Sequence, residues 1–461
     1  MNVLNFVMGI GTRQLLVSRR DRNERKVMRG IMRNTNRWIG QLVIVCGVIG
    51  SGCTASQEEN AEVVPQSAVS AFEGALVIVG DGSEPIEDAV ILIEEDQFLR
   101  VGRRDEVEIP AGASRVDLTG RTVIPALIDT HTHLSRTRPE LEEDLRRRAY
   151  YGVAAAMSLG QDDGGAPFEI RNETIPGAAR YLTVGRGITR PEPGRSEIPF
   201  WVSTADEARQ AVQDLAADAI ELVKIWVDDR SGQYEKMTPE LYGAVIDEAH
   251  AHGMRVTAHI FTLEDAKGLL RAGIDAFAHG IRDQDADDEV VGLFKERPNV
   301  VVVPNLPGRG VAEDLSWVGD TIGPDDLAEL QARFVDRPEA QESFSIQARN
   351  LDRLNREGVT IALGTDGNSS WGPHLELADM VATGMTPHEV IVAATSNSAE
   401  FLGLSQLGSI AMGKDADFVV LNANPLDDIR NTRQIASVYI RGVEVDRNGL
   451  SNRWLNSTTG E

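Results

Sequence analysis

One stretch, Val123–Leu134, constrains the fold more than any other part of this chain of 461 residues. It has the sequence VIPALIDTHTHL, so an apolar run ends in two histidines, His131 and His133, that are two positions apart. Side chains two residues apart lie on the same face of an extended strand. Buried strands of parallel sheets are continuous apolar runs. The stretch therefore predicts a buried strand with two imidazoles on one face, where both can bind one metal ion.

The chain is strongly acidic, with a formal net charge of −25 at pH 7. Nucleic-acid binding depends on cationic groups that neutralise phosphates, so this charge disfavours a nucleic-acid partner. Both cysteines, Cys46 and Cys53, lie near the N-terminus, and the body of the chain has none for a disulfide or a zinc site. Metal ligands in the body are therefore expected to be histidine and carboxylate. The sequence leaves the oligomeric state open.

Residues 1–53 have the features of an export signal. A positive region precedes an apolar core at residues 42–49, and this core is too short to span a bilayer. Ser51-Gly52-Cys53 resembles the lipobox of bacterial lipoproteins, in which the cysteine is lipidated, and residues 54–66 form a polar linker. We therefore expect an exported protein, periplasmic or anchored to a membrane by a lipid at Cys53. The alternative is a buried apolar segment of the fold.

The long middle of the chain, residues 125–404, alternates predicted strands with predicted helices. Thr238-Pro239 is a typical helix start and Gly253 a typical helix stop. Eight alternating units over this length predict an α/β fold, a (β/α)8 TIM barrel, whose functional residues lie at the carboxyl ends of the strands. The predicted strands are Ala126–Asp129, Val153–Leu159, Tyr181–Val184, Leu222–Val227, Arg255–Ile260, Ala276–Ala278, Val300–Pro304 and Thr360–Leu363.

Both ends of the chain are rich in short strands that turn residues separate. These regions precede residue 125 and follow residue 404, and their pattern is typical of antiparallel hairpins. Two such regions on either side of an α/β middle predict one small β domain that is built from both ends. Two separate β caps are the alternative.

Four histidines, one lysine and one aspartate fall at the ends of predicted barrel strands. Parallel barrel strands end at one rim, so we expect these side chains to converge there. A set of imidazoles and a carboxylate suits zinc, with manganese or iron as alternatives. Taken singly, the lysine could pair with a carboxylate and the aspartate could belong to a simple turn. The six residues are His131, His133, Lys224, His259, His279 and Asp366.

These motifs, together with the segment GSIAMGKDAD at Gly408–Asp417, resemble the amidohydrolase superfamily. The resemblance is closest to its imidazolonepropionase-like and prolidase-like metal-dependent hydrolases, and it extends over residues 70–445. It implies a metal-bearing barrel at residues 125–404. It also implies a β-sandwich domain that residues 67–124 and 405–450 form together.

The resemblance implies a role for each histidine at the rim. His131, His133 and Asp366 would hold a first metal ion, and His259 and His279 would hold a second. Zinc is the expected metal at both positions. Two ions would share a hydroxide, lower its pKa and polarise the scissile carbonyl.

Lys224 would carry a carbamate, formed with CO2, that bridges the two ions. Asp366 would take the proton from the hydroxide and pass it to the leaving nitrogen. A one-ion alternative has no carbamate. It keeps the first-metal ligands with one later histidine, and His279 becomes a substrate contact.

We expect hydrolysis of an amide C–N bond, in a dipeptide or an N-acyl amino acid. One alternative is a cyclic-amide hydrolase, imidazolone-like, or a deaminase that acts on a small ring. Another is a metal-binding surface protein without turnover, which would not need the proton carrier Asp366. Arg230 and Arg282 are candidates for binding a substrate carboxylate through paired hydrogen bonds, unless they are merely solvated. His374 would either contact the substrate or brace its loop.

Overall fold

The computed structural model describes residues 69–306 and 308–458. The predicted export signal at residues 1–53 and the linker at 54–66 lie outside the described residues. The strands are β1 (Val69–Val77), β2 (Ile86–Glu94), β3 (Gln97–Arg103), β4 (Ser114–Asp117), β5 (Thr122–Pro125), β6 (Leu127–Thr132), β7 (Val153–Ser158), β8 (Arg180–Thr183), β9 (Ile188–Thr189), β10 (Phe200–Trp201), β11 (Leu222–Trp226), β12 (Arg255–His259), β13 (Ala276–Ala278), β14 (Val301–Val303), β15 (Thr360–Ile361), β16 (Phe418–Leu421), β17 (Ile435–Ile440) and β18 (Val443–Glu444).

The α-helices lie mainly between the strands of the middle of the chain. None of those in the described ranges is both long enough and apolar enough to cross a membrane. The helices are α1 (Arg138–Tyr150), α2 (Ala166–Ile170), α3 (Ala205–Ala217), α4 (Pro239–Ala251), α5 (Leu263–Ala272), α6 (Asp288–Glu296), α7 (Pro324–Gln331), α8 (Pro338–Arg356), α9 (Gly372–Thr383), α10 (Pro387–Val392), α11 (Ser398–Leu402) and α12 (Arg447–Thr458).

The strands of the middle region are parallel and form two sheets. One has the order β6-β7-β8, and the other has the order β10-β9-β11-β12-β13-β14-β15. Hydrogen bonds join the two sheets near their edges. The Thr130 amide donates to the Leu363 carbonyl at 3.0 Å, and the Gly187 amide donates to the Gly160 carbonyl at 2.9 Å. The α/β class is confirmed, and this strand order is consistent with the predicted barrel.

Most strand boundaries differ from the predicted ones by one or two residues, and two further details differ more. β6 extends to Thr132, so His131 lies within the strand instead of after it; pairing of Thr132 with Ser158 accounts for the extension. The short strands β9 and β10 lie between the predicted third and fourth strands. A strand of two residues has no period-two pattern, so the sequence could not indicate it.

Helix boundaries follow local signals in the sequence. α3 begins with a capping box, in which Thr204 and Glu207 bond each other's backbone amides. α4 begins at Pro239 and ends just before Gly253, whose φ is +72°. α5 ends at Gly273 in the left-handed conformation, with φ +101°. These helix ends fix where the chain turns back towards the start of the next parallel strand.

Strands from both ends of the chain lie in one eight-stranded sheet. Its order is β18-β17-β16-β5-β1-β2-β3, and β4 pairs with β1. β16 pairs antiparallel with β5, so Phe418 lies opposite Pro125. Phe418 stacks on Tyr439 at 4.5 Å between ring centroids, in a core to which Phe72 also contributes. Because β5 leads directly into β6, this sheet anchors the strand that carries His131. The two-layered sandwich stays a prediction.

Candidate metal centre

The predicted metal ligands lie at one edge of the parallel strands. His131 is near the end of β6, and His133 directly follows that strand. His259 is the last residue of β12, and His279 directly follows β13. Asp366 lies in the turn between β15 and α9. All five residues are therefore at the carboxyl ends of strands, where functional groups of α/β folds meet.

Three imidazoles surround the carboxylate of Asp366. Nε2 of His131 and Nε2 of His133 lie 3.0 and 2.9 Å from its Oδ1, and Nε2 of His279 lies 3.4 Å from its Oδ2. Ligand atoms of His131, His279 and Asp366 all lie within 4.8 Å of one another. Two ligands about 2.1 Å from zinc are about 3.4 Å apart at the tetrahedral angle. The spacing therefore fits one divalent cation between these groups.

Asn305 determines which nitrogen of His131 is a free acceptor. Nδ1 of His131 lies 2.8 Å from Oδ1 of Asn305, and because an amide oxygen only accepts, Nδ1 is the donor. Nε2 of the neutral ring then has a lone pair, and this lone pair faces a carboxylate oxygen. A metal ion between Nε2 and the carboxylate oxygen would attract both lone pairs. A histidine that binds a metal usually donates the N–H of its other ring nitrogen to a neighbouring acceptor, as Nδ1 of His131 does here. Asn305 was not among the predicted site residues, although it directly follows the predicted strand Val300–Pro304.

Burial keeps the imidazoles of His131 and His279 neutral. It lowers the pKa of His131 to about 4, although the carboxylate of Asp366 opposes the shift. Burial and the neighbouring His259 hold the pKa of His279 well below 6.5. Burial alone would raise the pKa of Asp366, but the surrounding imidazoles of His131, His133 and His279 outweigh it and hold that pKa well below 3.8. Neutral imidazoles and an ionised carboxylate are the forms that bind a divalent metal.

Three residues around the centre have positive φ angles although none of them is glycine. Their φ angles are +117° for His279, +44° for Asn305 and +52° for Asp366. Such residues cost about 1–3 kcal/mol each and persist where their surroundings hold them. Here the His279 amide donates to Val303 at 2.9 Å, and the Asp366 amide donates to His131 at 2.8 Å. The strand ends therefore hold the backbone in the shape that directs these side chains inward.

A buried ion pair lies beside the turn that carries Asp366. Nη1 of Arg148 lies 3.2 Å from Oδ2 of Asp129, and both side chains are 0% exposed. Asp129 also accepts hydrogen bonds from the amide and the hydroxyl of Thr365, at 3.1 and 2.8 Å. Arg148 donates to the carbonyl of Gly367 at 3.4 Å. The pair thus contacts both residues that flank Asp366. The sequence had indicated Asp129 only as the end of the first strand.

Lys224 lies within β11 and is fully buried. Its Nζ has no hydrogen-bond partner among the residues that the structure describes. Burial lowers its pKa to about 7; the charge of Asp366 opposes the shift, and those of Arg230 and Arg282 add to it. A large share of neutral amine is therefore present at neutral pH, and the neutral amine is the form that reacts with CO2. The residue fits the predicted carbamate chemically, and the carbamate stays a prediction.

His259 faces a different set of groups. Its Nε2 lies 3.0 Å from Oδ2 of Asp228, 3.1 Å from Nη1 of Arg230 and 3.2 Å from Nη2 of Arg282. Arg230 is itself paired with Asp228 at 2.8 Å and with Glu192 at 3.0 Å. The structure therefore brings both predicted substrate-contact arginines to the rim, where they lie next to a predicted metal ligand.

His374 lies apart from the rim, in α9. Its Nδ1 is 3.1 Å from Oγ1 of Thr432, and its Nε2 is 2.9 Å from the carbonyl of Tyr151. The residue is 2% exposed. Both ring nitrogens are engaged, so none is free for a substrate. These contacts support the bracing alternative, but His374 braces the start of α9 instead of a loop.

His374 should also make the fold sensitive to acid. Burial lowers its pKa from 6.5 to about 4. Between pH 4 and pH 6.5 the imidazole of His374 is mostly protonated in the unfolded chain but mostly neutral in the folded one. The contribution of His374 to stability is therefore complete above pH 6.5 and decreases towards pH 4, by about 3 kcal/mol. Because His374→Gln lacks this group, its free energy of unfolding should approach that of the wild type as the pH falls. Chemical denaturation across this range measures the difference, and a gap that does not change with pH would contradict the assignment.

Comparisons with known proteins identify the family of this chain. Residues 196–445 match the model of the Amidohydrolase family. The chain is 30% identical over 332 residues to an uncharacterised protein of Mycobacterium tuberculosis, and this alignment covers 67% of this chain and 81% of that protein. It is 29% identical over 378 residues to an imidazolonepropionase of Cereibacter sphaeroides, and this alignment covers 75% of this chain and 91% of that protein.

A solved structure agrees as well. The crystal structure of a "putative prolidase" from Bifidobacterium longum has a TM-score of 0.68 and 27% sequence identity to this chain. The match covers 84% of this chain and 98% of the other. The family match alone covers more than half of this chain and includes His259, His279 and Asp366. The resemblance that the motifs indicated is thereby confirmed, and the chain belongs to the amidohydrolase family.

Proposed function

We propose that this chain is a metal-dependent hydrolase that cleaves an amide C–N bond, in a dipeptide or an N-acyl amino acid. The observation that carries the proposal is the convergence of His131, His133 and His279 on Asp366. The similarity to a protein described as a prolidase supports a linear amide as substrate. For the architecture we propose the (β/α)8 barrel, with a β-sandwich from both chain ends.

In this proposal the three imidazoles and Asp366 hold the metal ion. Zinc is the first choice for such a set, with manganese or iron as alternatives. A bound divalent ion lowers the pKa of water and polarises a carbonyl oxygen. Asn305 contributes by keeping Nδ1 of His131 protonated, so that Nε2 of this ring is free to act as a ligand.

Asp366 is the proposed proton carrier. Its side chain is 36% exposed, so it is accessible from the open side of the rim. It is ionised at neutral pH and can accept a proton from the attacking water. A C–O bond forms, the C–N bond breaks, and Asp366 passes the proton to the leaving nitrogen. The products are a carboxylic acid and an amine, which ionise to a carboxylate and an ammonium at neutral pH, and water is the only co-reactant.

Arg282 is the proposed contact for a substrate carboxylate. Two carboxylates, Asp228 and Glu192, already balance the charge of Arg230. Arg282 has no ion pair in the described ranges, and its Nε is buried without a hydrogen-bond partner there. A substrate carboxylate would supply the missing acceptor through paired hydrogen bonds. We therefore assign Arg230 to positioning and Arg282 to substrate binding.

The decisive experiment is a screen of dipeptides and N-acyl amino acids with the zinc-loaded protein. We expect cleavage into two products, loss of the activity after treatment with EDTA, and recovery when zinc is restored. Activity that persists without metal would contradict the proposal. If the protein turned over no compound of any class, it would instead be the metal-binding surface protein.

The similarity to an imidazolonepropionase favours a second candidate, a hydrolase of cyclic amides. Mass spectrometry separates the two reactions, because ring opening gives one product that is heavier by one water. A deaminase would instead release ammonia. Failure of every linear amide combined with ring opening would promote this candidate.

We also propose that the enzyme acts outside the cytoplasm. The support is the signal-like composition of residues 1–53 and the lipobox-like position of Cys53. Mass spectrometry of the mature N-terminus tests the proposal. An uncleaved N-terminus on protein isolated from cells would refute it.

A further inference from the structure

We infer that the centre binds one metal ion per chain, because guanidinium groups take the place around His259 that a second ion would need. The inference rests on the proposed metal-dependent function. It concerns the part of the rim around His259, whereas the proposed function rests on the part around Asp366. Nε2 of His131, of His133 and of His279 faces Asp366, whereas Nε2 of His259 faces Asp228 and two arginines.

The first reason is that Nε2 of His259 is already engaged. A metal ligand needs a lone pair that nothing else uses. If Nε2 carries a hydrogen, it donates to Oδ2 of Asp228 at 3.0 Å. If it carries none, its lone pair accepts an N–H of Arg230 at 3.1 Å or of Arg282 at 3.2 Å. Either form of the ring leaves no lone pair on Nε2 for a metal ion.

The second reason is charge. Arginine stays protonated in proteins, so Arg230 and Arg282 bring two permanent positive charges to this nitrogen. Asp228 and Glu192 compensate Arg230, and Arg282 donates to the carbonyl of Ile260 at 2.6 Å. The carboxylate that faces Nε2 of His259, that of Asp228, is thus already paired with Arg230 at 2.8 Å. The positive charge that a second ion would supply is therefore already present.

Lys224 does not change this conclusion. Carboxylation would make it an anion, and in a two-ion centre that anion bridges the metals. Here both arginines are charged neighbours of Lys224. They would compensate such an anion themselves, so a modified lysine would not require a second ion. The metal content, and not the state of the lysine, is therefore the quantity to measure.

The test is the zinc content of the full-length chain after loading with excess zinc and desalting. We expect about one ion per chain by elemental mass spectrometry. Two ions per chain would overturn the inference and leave the proposed function standing. A chain without bound metal would overturn both. Titration with cobalt(II), followed by its visible absorption, gives a second measure and should saturate at one equivalent.

Two matched variants locate the ion. His259→Gln and His131→Gln both replace a buried strand-end histidine with a neutral side chain. We expect His259→Gln to keep its single ion and His131→Gln to lose most of it. In a two-ion centre His259→Gln would instead fall from two ions to one. Circular dichroism confirms that each variant is folded. If His259→Gln does not fold, the cobalt titration of the unmodified chain still decides the number of ions.

Discussion

The Asp366→Asn variant is expected to lower kcat for amide hydrolysis by about a hundred- to ten-thousand-fold. Asparagine has nearly the same size as aspartate but cannot accept the proton of the attacking water. The same change removes the carboxylate that lies among the three imidazoles, so it should also weaken metal binding. Rates are therefore compared in excess zinc, with the metal content of each protein measured alongside.

Asp163→Asn is the matched control. Asp163 follows β7 and is exposed, with only a 3.6 Å ion pair to Arg136. Its substitution removes one negative charge from a loop after a parallel strand without touching the centre, so kcat should not change. Normal turnover by a metal-loaded Asp366→Asn variant would show that another group carries the proton. The convergence of the imidazoles on this side chain would then serve metal binding alone.

The Arg148→Met variant is expected to lower the free energy of unfolding by about 3–5 kcal/mol. Methionine fills much of the space of the arginine side chain but leaves the carboxylate of Asp129 buried without its counter-ion. That carboxylate also orders Thr365, so the turn that carries Asp366 should loosen, and metal binding should weaken with it. Chemical denaturation of the metal-free proteins measures the change in the free energy of unfolding without any contribution from metal binding.

The loss of stability should depend on pH in a defined direction. Burial already raises the pKa of Asp129 above 3.8, and loss of the Arg148 charge would raise it further. The folded variant therefore holds a proton that the unfolded chain has released, and its stability falls as the pH rises. The deficit relative to the wild type should accordingly be larger near pH 7 than near pH 4.

Arg349→Met is the control for this prediction. Arg349 pairs with Asp285 at 2.8 Å, but the two side chains are 54% and 64% exposed. Exposed pairs contribute about 0–1 kcal/mol, so this variant should stay close to the wild type. Equal losses for the two arginine variants would mean that the buried pair has no special role in holding the turn.

The sequence by itself determined that four histidines and Asp366 reach the rim. The alternation of strands and helices predicted parallel strands, and the position of each histidine at the end of an apolar run placed it at the carboxyl edge. These inferences succeed because they depend on local chemistry. A strand has a period of two, helices start and stop at characteristic residues, and parallel strands end at a common edge. The motifs alone also sufficed to indicate the family.

Only the tertiary structure decided what each of these side chains faces. His131 and Asp366 are far apart in the chain, and a 3.0 Å contact between them exists only after the strands pair. The same holds for Asn305 behind His131 and for the arginines around His259. A sequence pattern places a residue on a face or at an edge. The partner of a polar group is chosen by whatever else the fold brings within about 3 Å of it, because a hydrogen bond acts only at that range.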